Sequence, residues 1–132
     1  MKVQDVLQKS TYKIELGRYC VAKVAETDSI NYANCFMVSK DKLETTVICK
    51  EELMQGLYLE IKKDYHLIAI NVAYPFYSPG FIATISGEMA LRNIPVLVVS
   101  TFSRDYFLIQ GRDIDNAVLA LDNLGIKRKL NP

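Results

Sequence analysis

Residues 35–53, CFMVSKDKLETTVICKEEL, return without a gap 61 positions later as residues 96–114, VLVVSTFSRDYFLIQGRDI. Val38 falls on Val99, Ser39 on Ser100, Ile48 on Ile109 and Glu44 on Asp105. Each copy reads as an apolar strand, a polar turn, a second apolar strand and an acidic start to a helix. A matching order of elements at a fixed offset is the mark of a repeat, so the chain divides into two related halves, 1–63 and 64–132.

Working outward, the second copy lies in the clearer half. Residues 66–72, HLIAINV, are apolar at nearly every position, which suits a strand buried on both faces. A loop, YPFYSPG, leads into a helix with Ser78 as its N-cap and Pro79 in its first turn, where a missing N–H costs nothing. Tyr77 and Ile82 are spaced to pack across that helix start as a hydrophobic staple. Ile82, Ile85 and Met89 form the buried stripe, and Asn93 and Pro95 end the helix. Strands 96–100 and 106–110 flank the turn Ser103-Arg104-Asp105. Asp113 is placed to cap a last helix whose core side is Ile114, Ala117, Val118, Leu121 and Leu124, and Gly125 closes it. Residues 126–130 supply a closing strand. Strand, helix, strand, strand, helix, strand is the ferredoxin-like βαββαβ unit, an α+β fold with antiparallel strands and helices on one face.

The first half is less regular. Residues 2–9 make a short helix, residues 12–16 alternate with the period of a half-buried strand, and Gly17 interrupts before a strand at 19–25. Polar residues 26–34 hold one helical turn at most. The hairpin 35–39/45–49 follows, then a short turn ended by Gly56 and an edge strand at 57–61.

Composition excludes several functions. The chain has 132 residues, 50% hydrophobic and 23% charged, with net charge +1. No apolar run approaches the roughly 20 residues of a membrane-spanning helix, and the N-terminus has no apolar signal core, so a cytoplasmic location with no membrane partner is expected. Near-zero net charge argues against nucleic acid, and the basic run Lys127-Arg128-Lys129 reads as a solvated tail or edge strand. Cys20, Cys35 and Cys49 each sit in apolar surroundings without CxxC spacing, so they are expected to be reduced and mostly buried rather than metal ligands. No nucleotide, hydrolase or redox motif occurs, and His66 is the only histidine, so neither catalysis nor a cofactor is expected.

The segment SPGFIATISGEMALRNIPVLVVSTFSRDYFLIQGRDIDNAVLALDNLG resembles an ACT domain, the regulatory module found beside aspartokinases and other amino-acid enzymes. The resemblance rests on the Pro79-Gly80 helix start, the strand ending in Ser100-Thr101 and the helix opening at Asp113. Over roughly residues 12–125 the chain is similar to small stand-alone proteins of two fused ACT-like halves, the first degenerate, to which cytosolic arginine sensors are related. It implies a non-catalytic, amino-acid-binding regulatory protein that forms a homodimer, with the ligand held between the halves. The rival reading is an ACT-like dimerisation or interaction module without a ligand.

Two segments are candidates for a ligand site. At Ser78, Gly80 and Phe81 a glycine leaves backbone N–H groups uncovered at a helix N-terminus, which favours a carboxylate; the competing role for Gly80 is to let helix and strand pack closely. At Thr101, Phe102, Ser103 and Asp105 an aromatic ring, two hydroxyls and an acid meet at a hairpin tip. There Asp105 would accept from an ammonium group, and its competing role is to bond its own backbone in the turn. Tyr74, Phe76, Tyr77 and Phe81 form an aromatic cluster that suits a core or an interface more than a pocket.

Overall fold

The structure is a computed structural model describing residues 2–25, 30–54, 58–74 and 77–131. Its elements are α1 (Val3–Lys9), β1 (Thr11–Ile14), β2 (Tyr19–Val24), β3 (Met37–Lys40), β4 (Thr45–Lys50), β5 (Glu60–Asn71), α2 (Phe81–Leu91), β6 (Leu97–Ser100), β7 (Asp105–Gln110), α3 (Ile114–Asn123) and β8 (Lys127–Arg128). They pack as two compact units, residues 17–65 and residues 1–16 with 66–132.

The repeat folds twice into the same hairpin, but the equivalence lies at sixty positions, not 61. Met37 faces Ile48 and Lys40 faces Thr45; sixty residues on, Leu97 faces Leu108 and Ser100 faces Asp105. The short 3-10 turns after each hairpin, Glu51–Leu53 and Gly111–Asp113, keep that spacing. The one-residue slip matters because strand faces alternate. The counterpart of Asp105 is therefore the buried Thr45, not Glu44.

The smaller unit orders its strands β3-β4-β2-β5, all antiparallel. Ala22, Val24 and Val47 form its small core. Cys20 and Cys49 face each other across β2 and β4, both buried, with sulfurs 3.8 Å apart. Burial, helped by the neighbouring Cys20, pushes the Cys49 thiol up to about 12. The edge strand expected at 57–61 and the strand at 66–72 are one twelve-residue strand, β5, and Leu57 lies outside the described residues. Within this unit β5 stands at the end of the strand order, paired through Ile61 with Ala22 and through Lys62 with Val21. Gly56 and Glu26 also lie outside the described residues.

The larger unit orders its strands β6-β7-β5-β1-β8. Tyr12 on β1 pairs with Ile70 on β5, and β8 runs parallel beside β1 at Thr11 and Tyr12. The closing strand thus joins β1 rather than β5, so an N-terminal strand is inserted into the expected βαββαβ order. The core lies on the helical face, where Val6, Leu7, Ile68, Ile70, Ile85, Met89, Phe107, Ile109 and Leu121 are buried. Buried Ser10 ties α1 into this unit: its hydroxyl donates to the Val6 carbonyl at 2.6 Å and accepts the Ala73 N–H at 3.0 Å. Tyr12 donates its hydroxyl to Asp122 Oδ1 at 2.7 Å.

Helix ends differ in detail from expectation. Asn93, at φ 59, and Gly125, at φ 88, each take the left-handed conformation after a helix. The Ile94 N–H then returns to the Met89 carbonyl and the Ile126 N–H to Leu121, as the sequence suggests. Asp113 precedes α3 but makes no side-chain cap; its Oδ2 lies 3.6 Å from Arg112 Nε.

Candidate functional site

Where β5 ends, the chain crosses to α2, and where β6 ends it turns back into β7; the two crossings converge. Between them lies a cavity of about 680 Å3, lined by Val72, Tyr74, Tyr77, Ser78, Pro79, Phe81 and Ile82 and by residues 100–105 of the larger unit. That volume falls within the range of small-molecule pockets. Its base is apolar, formed by Val72, Ile82 and the buried Phe81 ring, and its rim carries Tyr74, Tyr77 and Phe102.

The helix start is built differently from the sequence reading. Gly80, not Ser78, is the N-cap, and it makes the turn in the left-handed region at φ +85. Ser78 instead donates its hydroxyl to the Tyr74 carbonyl, which folds the loop on itself. The Phe81 N–H goes to the Ser78 carbonyl, and the first full helical bond runs from the Thr84 N–H to Gly80 at 2.9 Å. The Ile82 and Ala83 N–H groups lie ahead of that bond, at the positive end of the helix dipole. A Cβ at Gly80 would meet nothing within 4 Å, so close helix–strand packing is not why a glycine stands there. The positive φ is the reason. Tyr77 is 85% exposed and does not serve as a staple to Ile82.

At the hairpin tip the turn spans Thr101 to Arg104, closed by the Thr101 N–H on the Arg104 carbonyl at 2.9 Å. Asp105 is not in the turn but is the first residue of β7. Its Oδ1 accepts from the Ser100 hydroxyl at 2.6 Å across the strand pair, rather than from its own backbone. This bond fixes the carboxylate's orientation. Phe102 is 83% exposed.

Of the residues singled out by sequence, Ser78, Phe81, Thr101, Phe102, Ser103 and Asp105 line the cavity, and Gly80 shapes it without lining it. Ser100, Ile82 and Val72 were missed, while Arg104 falls inside the predicted hairpin segment without a role of its own. The register Ser100↔Asp105 was the signal for the first, since opposed residues share a face. Arg104 and Asp105 are the only charged residues in the lining among the described residues. Among the described residues no group of three histidine, cysteine or acidic side chains is arranged to hold a metal ion. No helix among them is long and apolar enough to cross a membrane.

The ACT domain family matches residues 60–123, from the start of β5 to the end of α3. The cavity therefore lies within the ACT domain segment, beside its first strand–helix crossing. The fold is shared with an Agrobacterium tumefaciens protein of known crystal structure (TM-score 0.79, 19% identity, covering 93% of this chain and 94% of that one). It is also shared with a Vibrio cholerae protein of unknown function described as a possible transport protein (TM-score 0.80, 20% identity, 93% and 95% covered). The regulatory subunit of aspartate kinase from Thermus thermophilus is similar too (TM-score 0.63, 10% identity, 86% and 95% covered). At these identities the likeness is one of fold. A search of curated protein sequences finds no relative of this chain.

Proposed function

We propose that this protein is a non-catalytic regulatory module that binds a free amino acid in the cavity between the α2 start and the β6–β7 hairpin. The observation that carries this reading is the convergence of two distant segments, 78–82 and 100–105, each with complementary chemistry, on one cavity. The Ile82 and Ala83 N–H groups take the carboxylate, and Asp105, held by Ser100, takes the ammonium. The apolar base receives the side chain. Because Asp105 is the only acid in the lining among the described residues, a neutral side chain suits the site better than a cationic one.

The ACT domain match and the fold of an aspartate kinase regulatory subunit support the regulatory reading. In this proposal the protein is a cytoplasmic homodimer, with residues 1–63 a degenerate half and residues 64–132 the ligand-binding half. The matching hairpins sixty positions apart support descent from a repeat. Thr45 stands where the second hairpin has Asp105, which supports the degeneracy of the first.

A second reading, a ligand-free interaction module, draws on β6. It pairs with β7 alone, and Leu97 and Val98 on it are exposed. Such an edge is a template for strand addition. A thermal melt with each of the twenty amino acids at millimolar concentration separates the readings. Under the proposal one amino acid raises the melting temperature, and Asp105→Ala abolishes the rise. If none does, the interaction module is the better account.

A further inference from the structure

The basic run at the C-terminus is not only a solvated tail. The Lys129 N–H donates to the Tyr12 carbonyl at 2.7 Å, which extends the β1–β8 pairing and places Lys129 beside β1. Strand alternation puts Thr11, Lys13 and Glu15 on the sheet face away from the core, because Tyr12 points into it. The register sets Asn71 opposite Thr11 and Ala69 opposite Lys13 on that same face. Tyr106 joins them, since its neighbour Phe107 is in the core. There a cavity of about 340 Å3 is lined by Lys13, Arg104 and Lys129 together with Glu15, Asn71 and Tyr106.

Three cations meet one acid in this cavity. Glu15 is occupied with Lys13 at 3.5 Å, and Arg104 and Lys129 have no acidic partner among the described residues. Gathering like charges is unfavourable unless a counter-ion offsets it. The Thr11 hydroxyl and the Asn71 amide in the lining can donate hydrogen bonds to an oxyanion. We propose that this sheet-face cavity, built on Lys13, Arg104 and Lys129, is an anion site for a small dianion bearing a phosphate or a pair of carboxylates. Its net charge of two matches such a ligand, and alanine at 69 leaves the floor low. Arg104 also lines the hairpin cavity, which makes it the residue common to both. The anion site stands whether or not an amino acid occupies the hairpin cavity.

The test is a titration of the full chain, followed by amide NMR shifts, with inorganic phosphate and with succinate, against sodium chloride at matched ionic strength. The expected result is saturable shifts at Thr11, Lys13, Asn71 and Tyr106 with one or both probes, weakened as salt is added. Saturation by phosphate alone assigns a phosphate ligand, and by succinate alone a dicarboxylate. Lys13→Gln with Lys129→Gln should lower the affinity at least tenfold, and Lys9→Gln, outside the cavity, should leave it unchanged. Shifts that merely follow ionic strength, or an equal loss in Lys9→Gln, would overturn the proposal.

Discussion

Replacing Ser10 with alanine tests how the N-terminal helix is fastened to the loop that leads into the site. The Ser10 side chain is 1% exposed and its oxygen takes part in two hydrogen bonds, to the Val6 carbonyl and from the Ala73 N–H. Alanine fills the space almost as well, so the transfer term is small. What remains is the desolvation of two backbone groups without a partner. Each costs about 1–3 kcal/mol when fully buried. Ala73 is only partly buried and water can reach it in part, so the total expected is about 2–3 kcal/mol. Urea unfolding should show a lower midpoint with an unchanged slope, because the surface exposed on unfolding is the same. The half-buried Ser78, whose hydroxyl makes a solvent-exposed bond to a backbone carbonyl, is the control: Ser78→Ala should cost no more than about 0.5 kcal/mol. If Ser10→Ala lost less than the control, the bond to Ala73 would not be what holds the loop.

Ile85 and Leu121 are fully buried on α2 and α3, so truncating either to alanine should cost about 2–5 kcal/mol by denaturant melts; under 1 kcal/mol for both would mean the helices are misplaced. Gly80→Ala should cost only the left-handed backbone penalty, about 1–2 kcal/mol, because its Cβ meets open space; a loss beyond 4 kcal/mol would point to packing instead. Cys49 ionises with greater difficulty folded than unfolded. Its contribution is present below the ordinary thiol value near 9 and is lost as pH rises towards about 12. Unfolding midpoints should therefore fall above pH 9, and fall less in Cys49→Val; an equal fall in both would contradict this. At pH 8 a thiol reagent should modify the half-buried Cys35 well before the buried Cys20 and Cys49.

Much of the larger unit was legible because its signals are local and agree. The stripe Ile85–Met89, the helix stops at Asn93 and Gly125, and the buried run before the loop all reported one structure. The repeat was legible too, but its offset was not. Three identities aligned the copies one residue late, whereas hydrogen-bond register is set by the paired strand, which a single sequence does not display. For the same reason β5 looked like two strands: its polar middle, KKDY, hides continuity that the partner strand β2 enforces. The insertion of β1 before β8 is a long-range choice with no local trace. At the site, chemistry was legible and capping was not. Ser78 has the right residue type for a cap, but Gly80 can take a positive φ that serine resists, and the helix starts there.

The most direct test of the amino-acid site is an amide NMR titration of the uniformly labelled protein with whichever amino acid raises its melting temperature. The account predicts saturable shifts centred on Ile82, Ala83, Ser103 and Asp105, lost in Asp105→Ala while the spectrum elsewhere stays folded. At one hundred times its dissociation constant such a ligand adds about 2.7 kcal/mol, enough for a clear rise in the melting temperature beforehand. Saturable shifts that leave residues 78–82 and 100–105 untouched, or an unchanged affinity in Asp105→Ala, would contradict it.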